Sequence, residues 1–393
     1  AQELGFDLHL HRTLDRQEAL EGADFVINTA LVASHWRLQE GWKIAQRLGY
    51  NWGASFHVMY DEAFWVNYYQ LRLFDSIVED MLRICPQAWL LLVANPVLAG
   101  VTHLTRKYPE ARIVGLCHGF SGIYHHAEVL GLDREHLTYE IPGVNHFVWC
   151  TRLFHKGQDV FPLLDRWIEE ELPRYEREGQ RPPLPRKSLD LYRRFRAIPI
   201  GDTAGWSGAS WPLWYHSSPE VEAQWGEHPQ DGWNHYFEGV AHSAAEIQRA
   251  AADAKCRVTE LFPPKLSGEP MVPIIEAVAC DIPRVVIGNV QNCGDFVPGV
   301  PLDFEVEIPL LASKRGLQGI QTGGLPPALL AHILRDRVAP VNIELEAYNT
   351  GSRDLLLQLV MMDPWTRSEA QARQLVEEIL ALPYQEEMRE HYK

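Results

Sequence analysis

The sequence has 393 residues, enough for two domains or one large one, and 46% of them are apolar, so a large core can be buried. With 36 basic and 52 acidic residues the formal charge is −16, which excludes the basic face of a nucleic-acid binder and electrostatic attachment to anionic lipid. No apolar run reaches the roughly 18 residues needed to span a bilayer, and no charged-then-apolar leader precedes the first strands, so a cytoplasmic chain is expected.

In chain order, residues 6–12 alternate in polarity and read as a short strand. Residues 23–30 (ADFVINTA) form an apolar, β-branched run and predict a buried strand, followed by a helix-like stretch to Leu48. Over 65–84, Tyr68, Leu71, Phe74, Ile77, Val78, Met81 and Leu82 recur at helical spacing, and Asp61 just before them reads as an N-cap. Residues 88–94 (AWLLLVA) predict a second buried strand closing on Asn95-Pro96. A helix to about Lys107 follows, and then a third strand over 112–117 (RIVGLC). Strand and helix alternate, and the strands are continuously apolar. That pattern predicts a parallel sheet covered on both faces, with ligands beyond the C-terminal strand ends. Those ends carry Asn28-Thr29, Asn95-Pro96 and Cys117-His118.

Composition changes near residue 150. Residues 178–188 form a Pro- and charge-rich loop, and 198–216 a Gly- and Trp-containing one. Thr366-Arg-Ser-Glu369 fits a capping box that opens a helix ending at Pro383. The six cysteines lack CxxC spacing, as expected for free thiols in a reducing compartment. The 13 tryptophans suit sugar stacking or a large core alike.

Three residues could carry chemistry. Cys117 and His146 are good donors for a divalent transition metal, and two protein ligands would leave positions open for water or substrate. On spacing alone, a buried thiol and a core histidine are the commoner reading. Asp202, in Pro199-Ile-Gly-Asp202-Thr203, could be a general base, although a turn or cap aspartate is commoner. His125 and His126 read as surface or packing residues, and Trp206, Trp211, Trp214 and Tyr215 as a sugar-pocket wall or core. No GxGxxG loop follows a strand.

Together these residues resemble glycoside hydrolase family 4, the NAD-dependent exception to two-carboxylate glycosidases. The resemblance rests on ADFVINTA, Asn95-Pro96, Cys117-His118-Gly119, Gly143-Val-Asn-His146, Pro199-Ile-Gly-Asp202-Thr203, Ser267-Gly-Glu269, Asn342-Ile-Glu-Leu-Glu-Ala347 and LALPYQEEMREHY. It implies an α/β fold: a Rossmann-like sheet over 1–145, incomplete at the N-terminus, then an α/β domain of the lactate/malate dehydrogenase type over 146–393. It implies NAD and Mn²⁺ as cofactors, a small carbohydrate as substrate, and a homodimer or homotetramer. Cys117 and His146 become metal ligands, and Asp202 the base at sugar C2. Asn95, Asp61, His118 and Asn145 become substrate contacts, with Asn28, Thr29 and Asn95 beside NAD. The implied chemistry is oxidation at C3, deprotonation at C2 and elimination of the aglycone.

Departures from the pattern are equally specific. The family's opening βαβ unit and Gly-rich turn are not seen ahead of ADFVINTA, and the chain opens on Ala1 rather than Met, as a truncated or processed chain would. Residues 203–211 lack an expected Arg, Gly53-Ala54-Ser55 lacks an expected acid, and Pro270-Met271 follows Ser267-Gly-Glu269 where polar residues are usual. Cys-His-Gly points to a non-phosphorylated substrate, with an α-glucoside ahead of an α-galactoside or α-glucuronide, because a uronate would want an Arg fork. Two readings of other classes stand beside it. A 2-hydroxyacid dehydrogenase would need a substrate Arg and a His–Asp pair, and a non-catalytic sugar-binding homologue would need no cofactor.

Overall fold

A computed structural model describes residues 2–52, 55–202, 204–206, 209–265 and 268–393; Gly53, Ala54, Thr203 and Ser267 of the motifs above lie outside the described residues. The strands are β1 (Phe25–Asn28), β2 (Trp89–Leu92), β3 (Arg112–Gly115), β4 (Leu137–Glu140), β5 (Gly143–Val144), β6 (Phe147–Cys150), β7 (Arg152–His155), β8 (Gln158–Asp159), β9 (Ile198–Ile200), β10 (Arg284–Gln291), β11 (Glu305–Ser313) and β12 (Gly316–Gly319). The main sheet has the order β1-β2-β3-β10-β11-β12. Strands β1, β2 and β3 pair in parallel, with Val26 opposite Leu90 and Leu90 opposite Ile113. Strand β10 meets β3 antiparallel, Asn289 against Gly115, and β11 and β12 continue antiparallel. The parallel part is as read from the sequence; the antiparallel extension, drawn from the far half of the chain, was not foreseen. Among the described residues no helix is long and apolar enough to cross a membrane.

Continuous apolarity reflects burial on both faces of β2, where Leu90, Leu91 and Leu92 are buried. The helix Val97–Lys107 covers the sheet through Val97, Val101 and Leu104. It approaches so closely that a Cβ on Gly115 would lie 2.5 Å from Val97 Cγ1. The helix Phe64–Ile84 agrees with the predicted span and buries both the apolar stripe and several polar residues, among them Asn67 and Gln70.

Three local expectations are corrected. Residues 6–12 form no strand: Phe6, Leu8 and Leu10 are exposed, because alternation without a neighbouring strand leaves the backbone unpaired. Asp61 is not a cap. The N-cap of the following helix is Ala63, which makes no side-chain bond, and Asp61 Oδ2 instead accepts from Asn95 Nδ2 at 3.0 Å. The helix Glu369–Leu380 is capped by Ser368, whose Oγ accepts from Gln371 N, while Gln371 Oε1 accepts from Arg367 N. Ser368 therefore takes the capping role expected of Thr366, Gln371 reaches back one residue further to Arg367 N, and Thr366 instead donates to Val360 O.

A second core gathers Val148, Cys150, Leu153, Leu164, Leu189, Tyr192, Ile198 and Ile200 around the small sheets β4-β7-β8 and β5-β6-β9. It places the β5–β6 turn and the end of β9 against the end of β3.

Asp363, near the C-terminus, is buried and accepts from Ser55 Oγ and Trp365 N. Burial pushes its carboxyl up from 3.8 to about 6. The folded state therefore holds this proton more tightly than the unfolded chain. The resulting stabilisation is complete below the unfolded pKa and is lost as pH rises through about 6. Asp363→Asn, neutral throughout, should gain on the wild type by up to about 3 kcal/mol between pH 4 and pH 7 in urea titrations. A difference that stays flat across that range would contradict the assignment.

Candidate active site

The site is built on the C-terminal ends of parallel strands, where the backbone turns away and side chains converge. Leu116 N donates to Leu92 O, prolonging the ladder to the point where Cys117 leaves the sheet. A two-residue turn, Asn145-His146, joins β5 to β6. Gly143 is required there, since a Cβ would sit 2.5 Å from Phe147 O. His146 adopts the left-handed conformation with φ 61, an uncommon choice for histidine that turns its ring toward Cys117. The end of β9 delivers Gly201-Asp202, and Gly119 lets the two loops touch, because a Cβ there would lie 3.0 Å from Gly201 Cα.

Cys117 Sγ, a ring nitrogen of His146 and a carboxylate oxygen of Asp202 all lie within 4.8 Å of one another. His146 Nδ1 is 3.0 Å from Glu62 Oε1, and Nε2 is 3.6 Å from Asp202 Oδ2. Glu62 faces Nδ1 and Asp202 faces Nε2, an arrangement that suits ligation of a metal through Nε2. Thiolate, imidazole and carboxylate together suit a divalent transition metal.

Behind the trio lies a buried layer of carboxyls. Glu305 Oε2 accepts from Asn145 N at 3.1 Å and Glu307 Oε2 from Asn145 Nδ2 at 3.2 Å. Burial pushes Glu307 up to about 8 and Glu305 well above its ordinary range. Burial, reinforced by Glu62, pushes Asp61 up to about 7. The Cys117 thiol is also raised by burial. For His146, burial opposes the charge, but the Cys117 and Glu62 side chains outweigh it and raise the ring well above its ordinary value. So much acidity in a dry space favours a multivalent cation. Arg337 is buried there, its guanidinium 3.6 Å from the Phe56 ring centre and 4.7 Å from that of Phe147.

The other sequence-derived residues divide into two groups. Asn28 is buried at the end of β1, where its Oδ1 accepts from Ala30 N and its Nδ2 has no partner; Thr29 beside it is exposed. Asn95, across the Asn95-Pro96 cis bond, meets Asp61. Gln70 ties these loops together: its Nε2 donates to Ala30 O and Asn95 O, and its Oε1 accepts from Val32 N. His118 stands outside this group, exposed, with Nδ1 2.9 Å from Glu269 Oε1. Trp211 and Tyr215 are core, whereas Trp206 and Trp214 are exposed. His126 is buried and His125 exposed.

Sequence reasoning missed Glu62, Gln70, Glu305 and Glu307. The signal for the last two was present: acids two apart in the otherwise apolar run FEVEIPLL face the same side of a strand.

The fold and this donor set define an α/β enzyme with a ligand site at the strand ends of a Rossmann-like sheet. The chain belongs to glycoside hydrolase family 4: residues 1–131 match the family 4 glycosyl hydrolase profile and residues 141–366 match the family 4 glycosyl hydrolase C-terminal domain. It is similar to the α-glucosidase of Erwinia rhapontici, 26% identical over 389 residues, covering 89% of this chain and 79% of that one. The solved structure of lplD from Bacillus subtilis superposes with a TM-score of 0.76 at 23% identity, covering 93% of this chain and 85% of that chain. A 6-phospho-α-glucosidase from gut microorganisms, solved in complex with NAD and Mn²⁺, superposes with a TM-score of 0.73 at 18% identity, covering 95% and 83%. The fold is therefore that of these enzymes, a Rossmann-like sheet with a dehydrogenase-like second part.

Proposed function

We propose that this glycosidase hydrolyses non-phosphorylated α-glycosides, with α-glucosides the leading substrates, by NAD-assisted elimination with a divalent metal. The observation that carries this reading is the convergence of Cys117, His146 and Asp202, with Glu62 behind the imidazole. Cys117 Sγ and His146 Nε2 would hold the metal, Mn²⁺ in the solved relative above. Asn28, with its unpartnered Nδ2, Thr29 and Asn95 would border the nicotinamide cofactor at the strand ends. When bound, NAD⁺ supplies a hydride acceptor and the metal a Lewis acid.

The chain's own residues do the rest. Glu62 keeps the proton on His146 Nδ1, so that Nε2 stays a ligand. Asp202, with a side chain 38% exposed beside the buried His146, stands at the mouth and takes the proton from sugar C2. Asp61 and Asn95, already hydrogen-bonded to each other, offer an acceptor and a donor to sugar hydroxyls. Asn145, fully buried, holds the His146 turn to Glu305 and Glu307 and keeps only its Oδ1 free of a hydrogen bond to offer a sugar hydroxyl, and His118 extends the polar rim toward Glu269. Residues 203–211 contain no cation to receive a phosphate or uronate group, and the Asp202 carboxylate at the mouth disfavours a second anion beside it. A neutral hexose fits both facts.

The test is hydrolysis of p-nitrophenyl α-glucoside, α-galactoside and α-glucuronide with NAD⁺, Mn²⁺ and a thiol reductant, omitting each additive in turn. Release from the α-glucoside should fall to background without NAD⁺ or without Mn²⁺. Turnover indifferent to NAD⁺ would remove the elimination mechanism and leave direct displacement by a carboxylate pair.

A further inference from the structure

Apart from the active-site residues, a second cluster is assembled by main-chain geometry. Strand β4 runs antiparallel to β7 with Leu137 opposite His155, and Lys156 N donates to His136 O at 3.1 Å, so His136 and His155 are held side by side. The β7–β8 hairpin turns through Lys156 and Gly157, both left-handed at φ 51 and 78, which fixes the end of β7. Asp133 precedes the short 3₁₀ turn Arg134–His136, yet its carboxylate makes no cap bond. It is directed at the imidazoles instead: Oδ1 accepts from His136 Nδ1, and Oδ2 accepts from His155 Nε2 at 3.2 Å.

We propose that Asp133, His136 and His155 form a surface site for a divalent transition metal of the zinc, nickel or cobalt kind, separate from the Cys117–His146 centre. One ligand atom from each residue lies within 4.8 Å of the others, a spread that small side-chain rotations contract onto one ion. Two imidazoles and one carboxylate are borderline donors that select these metals over Mg²⁺ or Ca²⁺, and three protein ligands leave room for water.

One contact opposes the ion: Lys156 Nζ lies 3.3 Å from Asp133 Oδ2. Its side chain is 57% exposed and can swing into solvent, so the ammonium is a displaceable occupant of the place a metal would take. Metal bound here would staple the Asp133 turn to the β7–β8 hairpin.

The site is tested on the full chain with Zn²⁺ alone as the probe. Calorimetric titration should resolve two classes of site. The H136A/H155A exchange should remove one class and keep the class that H146N removes. His155→Gln keeps a hydrogen-bond donor for Asp133 but no imidazole, and should weaken the surface class at least about tenfold. Zn²⁺ should raise the wild-type Tm by more than it raises that of H136A/H155A. Equal Zn²⁺ stoichiometry and affinity in the wild type, H136A/H155A and H155Q would overturn the proposal. It does not depend on the glycosidase reading, because neither histidine touches the active site.

Discussion

His146→Asn is expected to fold and to lose glycosidase activity by about 10³-fold or more, the effect of withdrawing several kcal/mol of metal-based stabilisation. Asparagine is the informative replacement because it tolerates the left-handed conformation that His146 holds at φ 61. It can still donate a hydrogen bond to Glu62, which sits 3.0 Å from His146 Nδ1. The exchange therefore keeps the turn and removes the ligand. Mn²⁺ affinity, followed by calorimetry, should fall at least about 100-fold while the far-UV circular dichroism stays as in the wild type. Full activity in H146N would mean that the imidazole is structural and that Cys117 and Asp202 act without it.

The second large effect concerns stability. Trp65 is fully buried in the first turn of the helix Phe64–Ile84, edge-on to Phe64 at 5.0 Å. It fills the space left by Gly41 on the helix His35–Arg47, where a Cβ would lie 2.2 Å from indole Cε2. Trp65→Ala should cost about 3–5 kcal/mol, because a glycine neighbour has no side chain with which to collapse into the void. Trp65→Phe should cost much less. It keeps most of the ring and deletes an indole Nε1 that has no hydrogen-bond partner. Urea midpoints at constant m measure both. Since Trp65 anchors the first turn after Asp61-Glu62, the alanine variant should also weaken the site, and equal midpoints for the two variants would contradict this packing account.

Much of the architecture was legible in the sequence where burial leaves a continuous mark. AWLLLVA and the IVG of RIVGLC are apolar because β2 and β3 are buried, whereas ADFVINTA, expected to be buried too, forms the edge strand β1 and leaves Ile27 exposed. Cys117, His146 and Asp202 could be singled out one at a time, but only the fold shows that three strand ends bring them together. The remainder was hidden for identifiable reasons. Asp61 has the spacing of a cap, and only tertiary structure turns it to Asn95. The second neighbour of β3 is β10, separated from it by much of the chain, and no local pattern encodes a pairing of that range. Residues 6–12 show the converse error, a strand-like alternation with no strand beside it.

That long-range closure also bears on when the His146 turn acquires its shape. Asn145 is held by Glu305 and Glu307, 160 and 162 residues further along the chain. At ribosomal speeds of about 5–20 residues per second, those glutamates emerge on the order of 10 s or more after the turn itself. Until then the turn has neither anchor, and the strand that will brace it has yet to be synthesised. Assembly of the active site is thus a late event in the life of the nascent chain, and a fragment ending before β11 would carry Cys117, His146 and Asp202 without the buried acids that set their geometry.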